Sequence, residues 1–206
     1  IIQLAAAGYK VKATVRDLSR TNKLNQTLLN GLEKYEDKSD LSVDWQVTNL
    51  SSDDGWDEAM AGCDYVLHVA SPISMQLPKN EDEMVKPAVE GTLRVLKAAS
   101  KAGVKRVVIT SSVAAIMYGT DKQGTFNEED WTDPKSKTTN VYAKSKTLAE
   151  QAAWDFMEHD TSGMELSTVL PAMVFGPILE EDFGVSVGAI LDMMNGKYPI
   201  VPNWDM

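Results

Sequence analysis

A tyrosine and a lysine lie four residues apart in the stretch NVYAKSKTLAE, and a serine precedes the tyrosine by thirty residues. The pair is Tyr142 and Lys146, and the serine is Ser112. A tyrosine hydroxyl ordinarily has a pKa near 10, which is poorly suited to acid–base work at neutral pH, and a neighbouring ammonium lowers that value. These three side chains could therefore protonate a carbonyl, with Ser112 orienting its oxygen, while a nicotinamide delivers hydride to its carbon.

The four-residue spacing is not specific by itself. A second pair, Tyr118 and Lys122, has the same spacing, but a glycine and a turn-like TDKQG follow its tyrosine. Residues four apart share a face only in a helix, so Tyr142 and Lys146 need a helix to act together. The competing interpretation is an exposed polar helix turn. Ser111 is the alternative to Ser112, because a shift of one residue along a strand reverses the side-chain direction.

Helical and strand-like segments alternate along the chain. The strands are predicted at YKVKATVR, LSVDWQVTNL, DYVLHVA, RVVITSS and MELSTVLP, and the helices at IIQLAAAG and over 21–32, 56–60, 83–102, 142–159 and 186–195. DYVLHVA is almost continuously apolar, which is typical of a strand buried on both faces. Strands separated by helices predict a doubly wound α/β domain with a parallel sheet and right-handed crossovers.

Ligands of such sheets bind beyond the carboxyl ends of the strands. The residues expected there are Arg16, Asn49, Leu50, Ala70, Ser71, Pro72, Ser111, Ser112 and Pro171. This placement brings Ser112 to the same edge of the sheet as the helix that begins near Tyr142. The strand ends therefore favour catalysis over a solvated helix turn.

Composition excludes several classes of function. A net charge of −10 argues against binding to nucleic acid phosphates, and no apolar run approaches the roughly 18 residues of a membrane span. Cys63 is the single cysteine, so a disulfide framework or a cysteine metal cluster is not expected. With His68 and His159 as the only histidines, a multi-histidine metal site is not expected either; His68 is predicted to be a core side chain. A cytoplasmic protein that binds a small molecule is the expectation.

Several blocks together resemble the extended short-chain dehydrogenases/reductases. VVITSSVAA, VYAKSKTLAE, VLHVASP and KPAVEGTLRVLKAA are similar to the branch of dihydroflavonol reductases, cinnamoyl-CoA reductases and aldehyde or ketone reductases, and LPAMVFGP and GKYPIVPN extend the likeness over essentially the whole chain. The resemblance implies a Rossmann-like NAD(P)-binding domain over 1–175 and the start of a small substrate-binding region over 176–206. Family members begin with a strand and a TGxxGxxG loop and continue for roughly a hundred more residues. The chain is therefore expected to be an internal fragment that lacks the first strand and the glycine-rich loop.

The resemblance implies an NADP-dependent oxidoreductase that reduces an aldehyde or ketone to an alcohol. Tyr142 is then the general acid, Lys146 tunes it and holds the cofactor ribose, and Ser112 orients the carbonyl. The alternatives with the same triad are an NAD-dependent nucleotide-sugar epimerase or a 3-beta-hydroxysteroid dehydrogenase-like member; a non-catalytic dinucleotide-binding relative is the third alternative. Proteins of this fold class commonly dimerise through the helix that bears the Tyr-Lys pair, so a homodimer is compatible with the sequence.

Cofactor choice is read from the end of the second strand of the family fold. An acidic residue there favours NAD, whereas an arginine favours the 2′-phosphate of NADP. Arg16 ends KATVR, Lys23 follows seven residues later, and Asp17 is the acidic neighbour. NADP, as NADPH, is therefore expected over NAD. The resemblance further implies cofactor contacts from Asn49, Leu50, Val69, Ala70, Ser71, Pro171 and Val174, in addition to Tyr142 and Lys146.

The substrate is less closely defined. Plant flavonoid enzymes of this branch carry an asparagine five residues after the catalytic serine, where this chain has Met117. Met117, Tyr118 and residues 124–131 are expected to line a pocket for a partly apolar aldehyde or ketone. Many extended members also carry an asparagine where this chain has Ala88, so no fourth catalytic residue is assigned.

Overall fold

The computed structural model describes residues 1–32, 42–72, 78–180 and 184–197. The helices are α1 (Ile2–Ala6), α2 (Thr21–Leu32), α3 (Trp56–Met60), α4 (Asp82–Ala102), α5 (Val141–His159) and α6 (Gly184–Met194). The strands are β1 (Val11–Val15), β2 (Val43–Val47), β3 (Tyr65–His68), β4 (Arg106–Thr110) and β5 (Glu165–Val169). Every predicted helix and strand is confirmed. Residues 176–206, the predicted start of a substrate-binding region, contribute α6 and run past the described residues, as does GKYPIVPN.

The strands form two parallel sheets of Rossmann-like topology. β1 pairs with β2, and β3, β4 and β5 follow in that order in the second sheet. In the second sheet, Tyr65 is opposite Arg106 and Arg106 is opposite Glu165, so the three strands start level with one another. Their carboxyl ends consequently lie at one edge. The predicted parallel α/β architecture is confirmed.

The main core lies between the second sheet and α3, α4 and α5. Its fully buried members include Val95 and Leu96 of α4, Val107 of β4 and Ala153 of α5. Apolar side chains recur along one face of α4 at helical spacing, and burying that face is what holds the helix on the sheet. None of the helices within the described ranges is long and apolar enough to cross a membrane.

β3 is exposed on one face, contrary to the prediction from its apolar run. Val66 and His68 face the core, whereas Tyr65 is 61% exposed and Leu67 54% exposed. Strand residues alternate between faces, and the helices that build the core lie on the side of Val66 and His68. Apolar composition predicted the strand correctly, but burial depends on what packs against each face.

The start of α5 is determined locally. Asn140 is its N-cap, and the side-chain oxygen of Asn140 accepts a hydrogen bond of 2.9 Å from the amide of Ala143. Asparagine is among the best N-caps because this bond satisfies an amide that the helix itself leaves unpaired. The cap places Tyr142 in the first turn of α5, Lys146 one turn further and Glu150 two turns further.

Candidate functional site

The carboxyl end of β4 is tied to α5 by two side-chain contacts. The ammonium of Lys146 donates a hydrogen bond of 3.1 Å to the carbonyl of Thr110, the last residue of the strand. The hydroxyl of Ser111 donates to the carboxylate of Glu150. Because Lys146 and Glu150 are four residues apart on one helix face, the last residue of β4 and the residue after it meet successive turns of α5. Ser112 is the next residue along this segment.

Ser112 begins a short 3-10 turn, Val113–Ala115. Its backbone is extended and its hydroxyl oxygen accepts a hydrogen bond of 3.1 Å from the amide of Ala114. Its O–H proton has no acceptor among the residues described. The amide of Val113 also donates to the carbonyl of Pro171 over 3.1 Å, which places the predicted cofactor contact Pro171 next to Ser112. The site therefore offers one hydroxyl donor at the strand end.

Tyr142 is half-buried in the first turn of α5. Its hydroxyl makes no hydrogen bond to any side chain or main-chain group in the described ranges. The Tyr142 side chain shares its helix face with Lys146, as the four-residue spacing predicted. The helix that the Tyr-Lys pair requires is thus present, while the catalytic role of each residue stays a prediction.

The second tyrosine–lysine pair is not on a helix. Tyr118 and Lys122 lie in an irregular segment, and the ammonium of Lys122 bonds the carboxylate of Asp130 at 2.6 Å. The glycine and the turn-like residues after Tyr118 indicated this outcome. Of these two pairs, Tyr142 and Lys146 lie on a helix, which is the condition that the predicted chemistry requires.

Burial controls the charges around Lys146. The Lys146 side chain is only 8% exposed, and burial lowers the pKa of its ammonium, while the carboxylate of Glu150 opposes that shift. His68, at the end of β3, is 7% exposed; burial and then the positive charge of Lys146 lower its pKa to about 4. The imidazole of His68 is therefore neutral near neutral pH, and it lies in the core as predicted, with no hydrogen bond to another described residue.

Two exposed cations follow β1: Arg16 comes directly after the strand, and Lys23 lies in the first turn of α2. Arg16 and Lys23 are both exposed, and neither forms an ion pair within the described parts of the chain. The acidic neighbour Asp17 instead caps the 3-10 turn Leu18–Arg20, accepting a hydrogen bond of 2.8 Å from the amide of Ser19. That bond lowers the pKa of Asp17 and holds its carboxylate on the turn. Both cations remain available to an anionic group.

The other predicted cofactor contacts differ in their surroundings. The side-chain oxygen of Asn49 accepts a hydrogen bond of 2.9 Å from the amide of Ser51. Leu50 packs against α4 so closely that a Cβ on Gly91 would lie 2.8 Å from its Cδ2 atom. Leu50 therefore serves packing in this structure, and its contact with adenine stays a prediction. At the carboxyl edge, Val69, Ala70 and Val174 are exposed and Ser71 is half-buried.

A buried threonine holds the predicted substrate-pocket wall. Thr132 is 1% exposed; its hydroxyl donates to the carbonyl of Ala114 and accepts from the amide of Tyr118, each at 2.8 Å. The amide of Thr132 donates to the carbonyl of Ala115, also at 2.8 Å. Met117 and Tyr118, both exposed, are thereby fixed just beyond Ser112.

Sequence reasoning missed Thr132 and Glu150. No local signal identifies Thr132, because its partners lie 14 to 18 residues earlier in the chain. Glu150 had a signal, since it continues the four-residue series of Tyr142 and Lys146. Within the described ranges, no group of three or more histidine, cysteine or acidic side chains is placed to hold a metal ion.

The 3-beta hydroxysteroid dehydrogenase/isomerase family matches residues 6–201. Anthocyanidin reductase of Arabidopsis thaliana is 35% identical over 96% of this chain and 58% of its own length. A dihydroflavonol 4-reductase of Medicago sativa is 36% identical over 96% of this chain and 90% of its own length.

A solved structure shows the same fold. The yeast methylglyoxal/isovaleraldehyde reductase complexed with NADPH superposes with a TM-score of 0.69 at 32% identity, over 85% of this chain and 54% of that one. The chain thus spans little more than half the length of several relatives that it matches. It belongs to the 3-beta hydroxysteroid dehydrogenase/isomerase family, among the extended short-chain dehydrogenases/reductases.

Proposed function

We propose that the protein uses NADPH to reduce the carbonyl group of a partly apolar aldehyde or ketone to an alcohol. The observation that carries this proposal is the docking of α5 on the end of β4 through Lys146 and the Thr110 carbonyl, two residues before Ser112. That contact fixes the helix that carries Tyr142 and Lys146 against the segment leading into Ser112, which supports assigning the three side chains to one site. The relatives support the reaction class, since their names describe them as reductases.

The residues present fit NADPH. Its 2′-phosphate is an anion, and Arg16 and Lys23 are exposed cations without ion-pair partners in the described part of the chain. An arginine at this strand end is the residue that accommodates a 2′-phosphate in Rossmann folds. Lys146 would bond the nicotinamide ribose, and the strand ends at Ala70–Ser71 and Pro171 would line the cofactor. When bound, NADPH supplies the hydride that the carbonyl carbon receives.

Side chains of the protein supply the proton that the carbonyl oxygen receives. The O–H of Ser112, which has no acceptor among the described residues, donates a hydrogen bond to the carbonyl oxygen and orients the substrate. The hydroxyl of Tyr142 then transfers its proton to that oxygen: the phenol O–H bond breaks and the alcohol O–H bond forms. The ammonium of Lys146 stabilises the phenolate that remains until a proton from solvent restores Tyr142.

A second candidate rests on the matched family's own description. That description names a hydroxysteroid dehydrogenase/isomerase, which supports oxidation of a sterol-type alcohol with NAD by the same three side chains. The two exposed cations, Arg16 after β1 and Lys23 in α2, favour NADP and therefore the reductase. A nucleotide-sugar epimerase would use the same three side chains. A non-catalytic dinucleotide-binding protein would not require them.

The test is an NADPH-oxidation assay on the purified full-length protein with aldehydes, ketones and acyl-CoA esters. We expect turnover of at least one apolar aldehyde or ketone with NADPH and weaker turnover with NADH. Parallel assays would follow NAD reduction with sterol alcohols. Turnover only in the NAD direction would favour the second candidate, and no turnover of any carbonyl would refute the proposal.

A further inference from the structure

A small polar cavity lies at the carboxyl ends of β3 and β4, where Lys146 and Glu150 of α5 border them. Its volume is about 10 Å³, close to the minimum that holds one water molecule. Its lining combines the end of β3, the end of β4, α4 and α5, and consists of His68, Ala70, Ser71, Thr92, Ile109, Thr110, Ser111, Lys146, Ala149 and Glu150. Most of these side chains carry a hydrogen-bonding group, so the cavity is suited to a polar occupant.

Two buried opposite charges border this cavity without touching each other. Lys146 is 8% exposed and Glu150 5% exposed, yet they form no direct ion pair in the described structure. The Lys146 ammonium donates one hydrogen bond, to Thr110, and retains two further N–H groups. Glu150 accepts from Ser111, and its other oxygen has only a long bond of 3.4 Å from the indole of Trp154. Both charged groups therefore have hydrogen-bonding capacity to spare beside the cavity.

His68 is the third polar group with spare capacity. It is 7% exposed and lacks a hydrogen-bond partner among the described residues. Its imidazole is neutral near neutral pH, because burial and the charge of Lys146 depress its pKa. A neutral imidazole has one ring nitrogen that can accept a hydrogen bond. No fully buried side-chain nitrogen or oxygen of the described residues lacks a partner, so the unbonded ring nitrogens of His68 border space that water can reach. Ordered water commonly completes such groups.

We propose that this cavity is a specific water site, in which one water accepts a hydrogen bond from the Lys146 ammonium and donates to the Glu150 carboxylate and the neutral His68 ring. Three partners are typical of a buried water. Glu150 is then a positioning residue: through the water and through Ser111, it keeps Lys146 charged and aligned with Tyr142. Its catalytic consequence rests on the proposed function, whereas the water site itself does not.

The first test is a high-resolution crystal structure of the full-length protein. We expect one ordered water within hydrogen-bonding distance of Lys146, Glu150 and His68. A direct Lys146–Glu150 ion pair, or a cavity closed by the His68 ring, would overturn the proposal. Neither result depends on catalytic activity.

The second test is Glu150→Gln, compared with Glu158→Gln. Glutamine keeps the volume and can accept the Ser111 hydrogen bond, but it removes the buried negative charge. Glu158 lies two turns further on α5 and is exposed, so its variant removes the same charge from the same helix. The titratable groups that border Lys146 across the cavity are His68 from β3 and Glu150 from α5; β4 and α4 contribute only hydroxyl and apolar side chains.

Because Glu150 opposes the burial effect on Lys146, its loss lets the ammonium give up its proton at lower pH. We expect the basic limb of the kcat–pH profile to move to lower pH by about one unit, the low end for loss of a nearby opposite charge. An NMR titration of Lys146 should show the same shift without relying on turnover. A shift no larger than that of Glu158→Gln, in either measurement, would overturn the positioning role. Full turnover by Tyr142→Phe would instead refute the proposed function and leave the water and NMR results intact.

Discussion

The ammonium of Lys146 donates a hydrogen bond of 3.1 Å to the main-chain carbonyl of Thr110, the last residue of β4. A main-chain acceptor fixes the ammonium without neutralising it, and two of its N–H groups stay available for other partners. The contact also fixes α5 relative to the segment that leads into Ser112. Preorganised hydrogen-bonding groups of this kind are effective in catalysis because little reorganisation is needed during the reaction.

Replacing Tyr142 by phenylalanine should abolish most turnover. The substitution keeps the ring and removes the only group assigned to donate the proton, so kcat should fall by about a hundredfold to ten-thousandfold. NADPH affinity, measured by fluorescence or calorimetry, should change little. Tyr65→Phe is the matched control, because Tyr65 is exposed at the amino end of β3, away from the carboxyl edge. Comparable kcat values for both variants would exclude the assigned role.

Arg16 should determine cofactor preference. Arg16→Ala removes a charge assigned to the 2′-phosphate, and a hydrogen bond to a charged group contributes about 1.5–3 kcal/mol, which corresponds to at least about tenfold weaker NADPH binding. NADH has no such phosphate, so its dissociation constant should stay nearly constant. Lys97→Ala, which removes an exposed cation from α4, serves as the control. Equal losses for the two cofactors would disprove the assignment.

Local signals in the sequence predicted the elements closely. The helices over 21–32 and 56–60 were predicted with the bounds that the structure has, and α5 begins one residue before its predicted start. The reason is chemical: Asn140 caps α5 through its own side chain, and Gly103 ends α4 with a φ of 73° that glycine adopts readily. Such information lies within a few residues of each boundary.

Contacts between residues far apart in the chain were harder to predict from the sequence. The exposed face of β3 follows from which helices lie against the sheet, and DYVLHVA contains no information about them. Thr132 likewise becomes important only when the chain returns beside Ala114 and Tyr118. Glu150 is an intermediate case, because its spacing from Lys146 is visible in the sequence but its bond with Ser111 depends on how α5 packs on β4.

Removing the Thr132 hydroxyl should loosen the wall of the predicted substrate pocket. Thr132→Val preserves shape but leaves the part-buried Tyr118 amide and the buried Ala114 carbonyl without this partner, and an unsatisfied buried group costs about 1–3 kcal/mol. We expect a lower free energy of unfolding in urea and a higher KM for the carbonyl substrate, with KM for NADPH unchanged. Thr125→Val, at an exposed position, is the control. If both variants match the parent protein, the hydrogen bonds of Thr132 do not support the pocket.

His68 should make stability depend on pH in a defined window. Its pKa is about 4 in the folded protein and 6.5 for an ordinary imidazole, because burial and the Lys146 charge disfavour the protonated form. Above the unfolded value neither state binds this proton, so the stability is fully present. As the pH falls below the pKa of the unfolded state, the unfolded chain binds a proton at His68 that the folded protein does not bind. Stability is therefore lost until the pH is below the pKa of the folded state. The loss should approach about 3 kcal/mol at the acid end of the window.

Urea unfolding at about pH 7 and about pH 5 would measure this effect, with roughly 2 kcal/mol of the change between them due to His68. Carboxylates also titrate toward acid, so the informative quantity is the difference between variants. His68→Phe places an aromatic ring without a titrating group in the same core position and should reduce the pH dependence by that amount. His159→Phe changes the other histidine, which is exposed at the end of α5, and should retain the parent slope. The same slope in both variants would mean that His68 is protonated in the folded protein as readily as in the unfolded chain. That result would contradict the assignment of His68 as a buried, neutral imidazole beside Lys146.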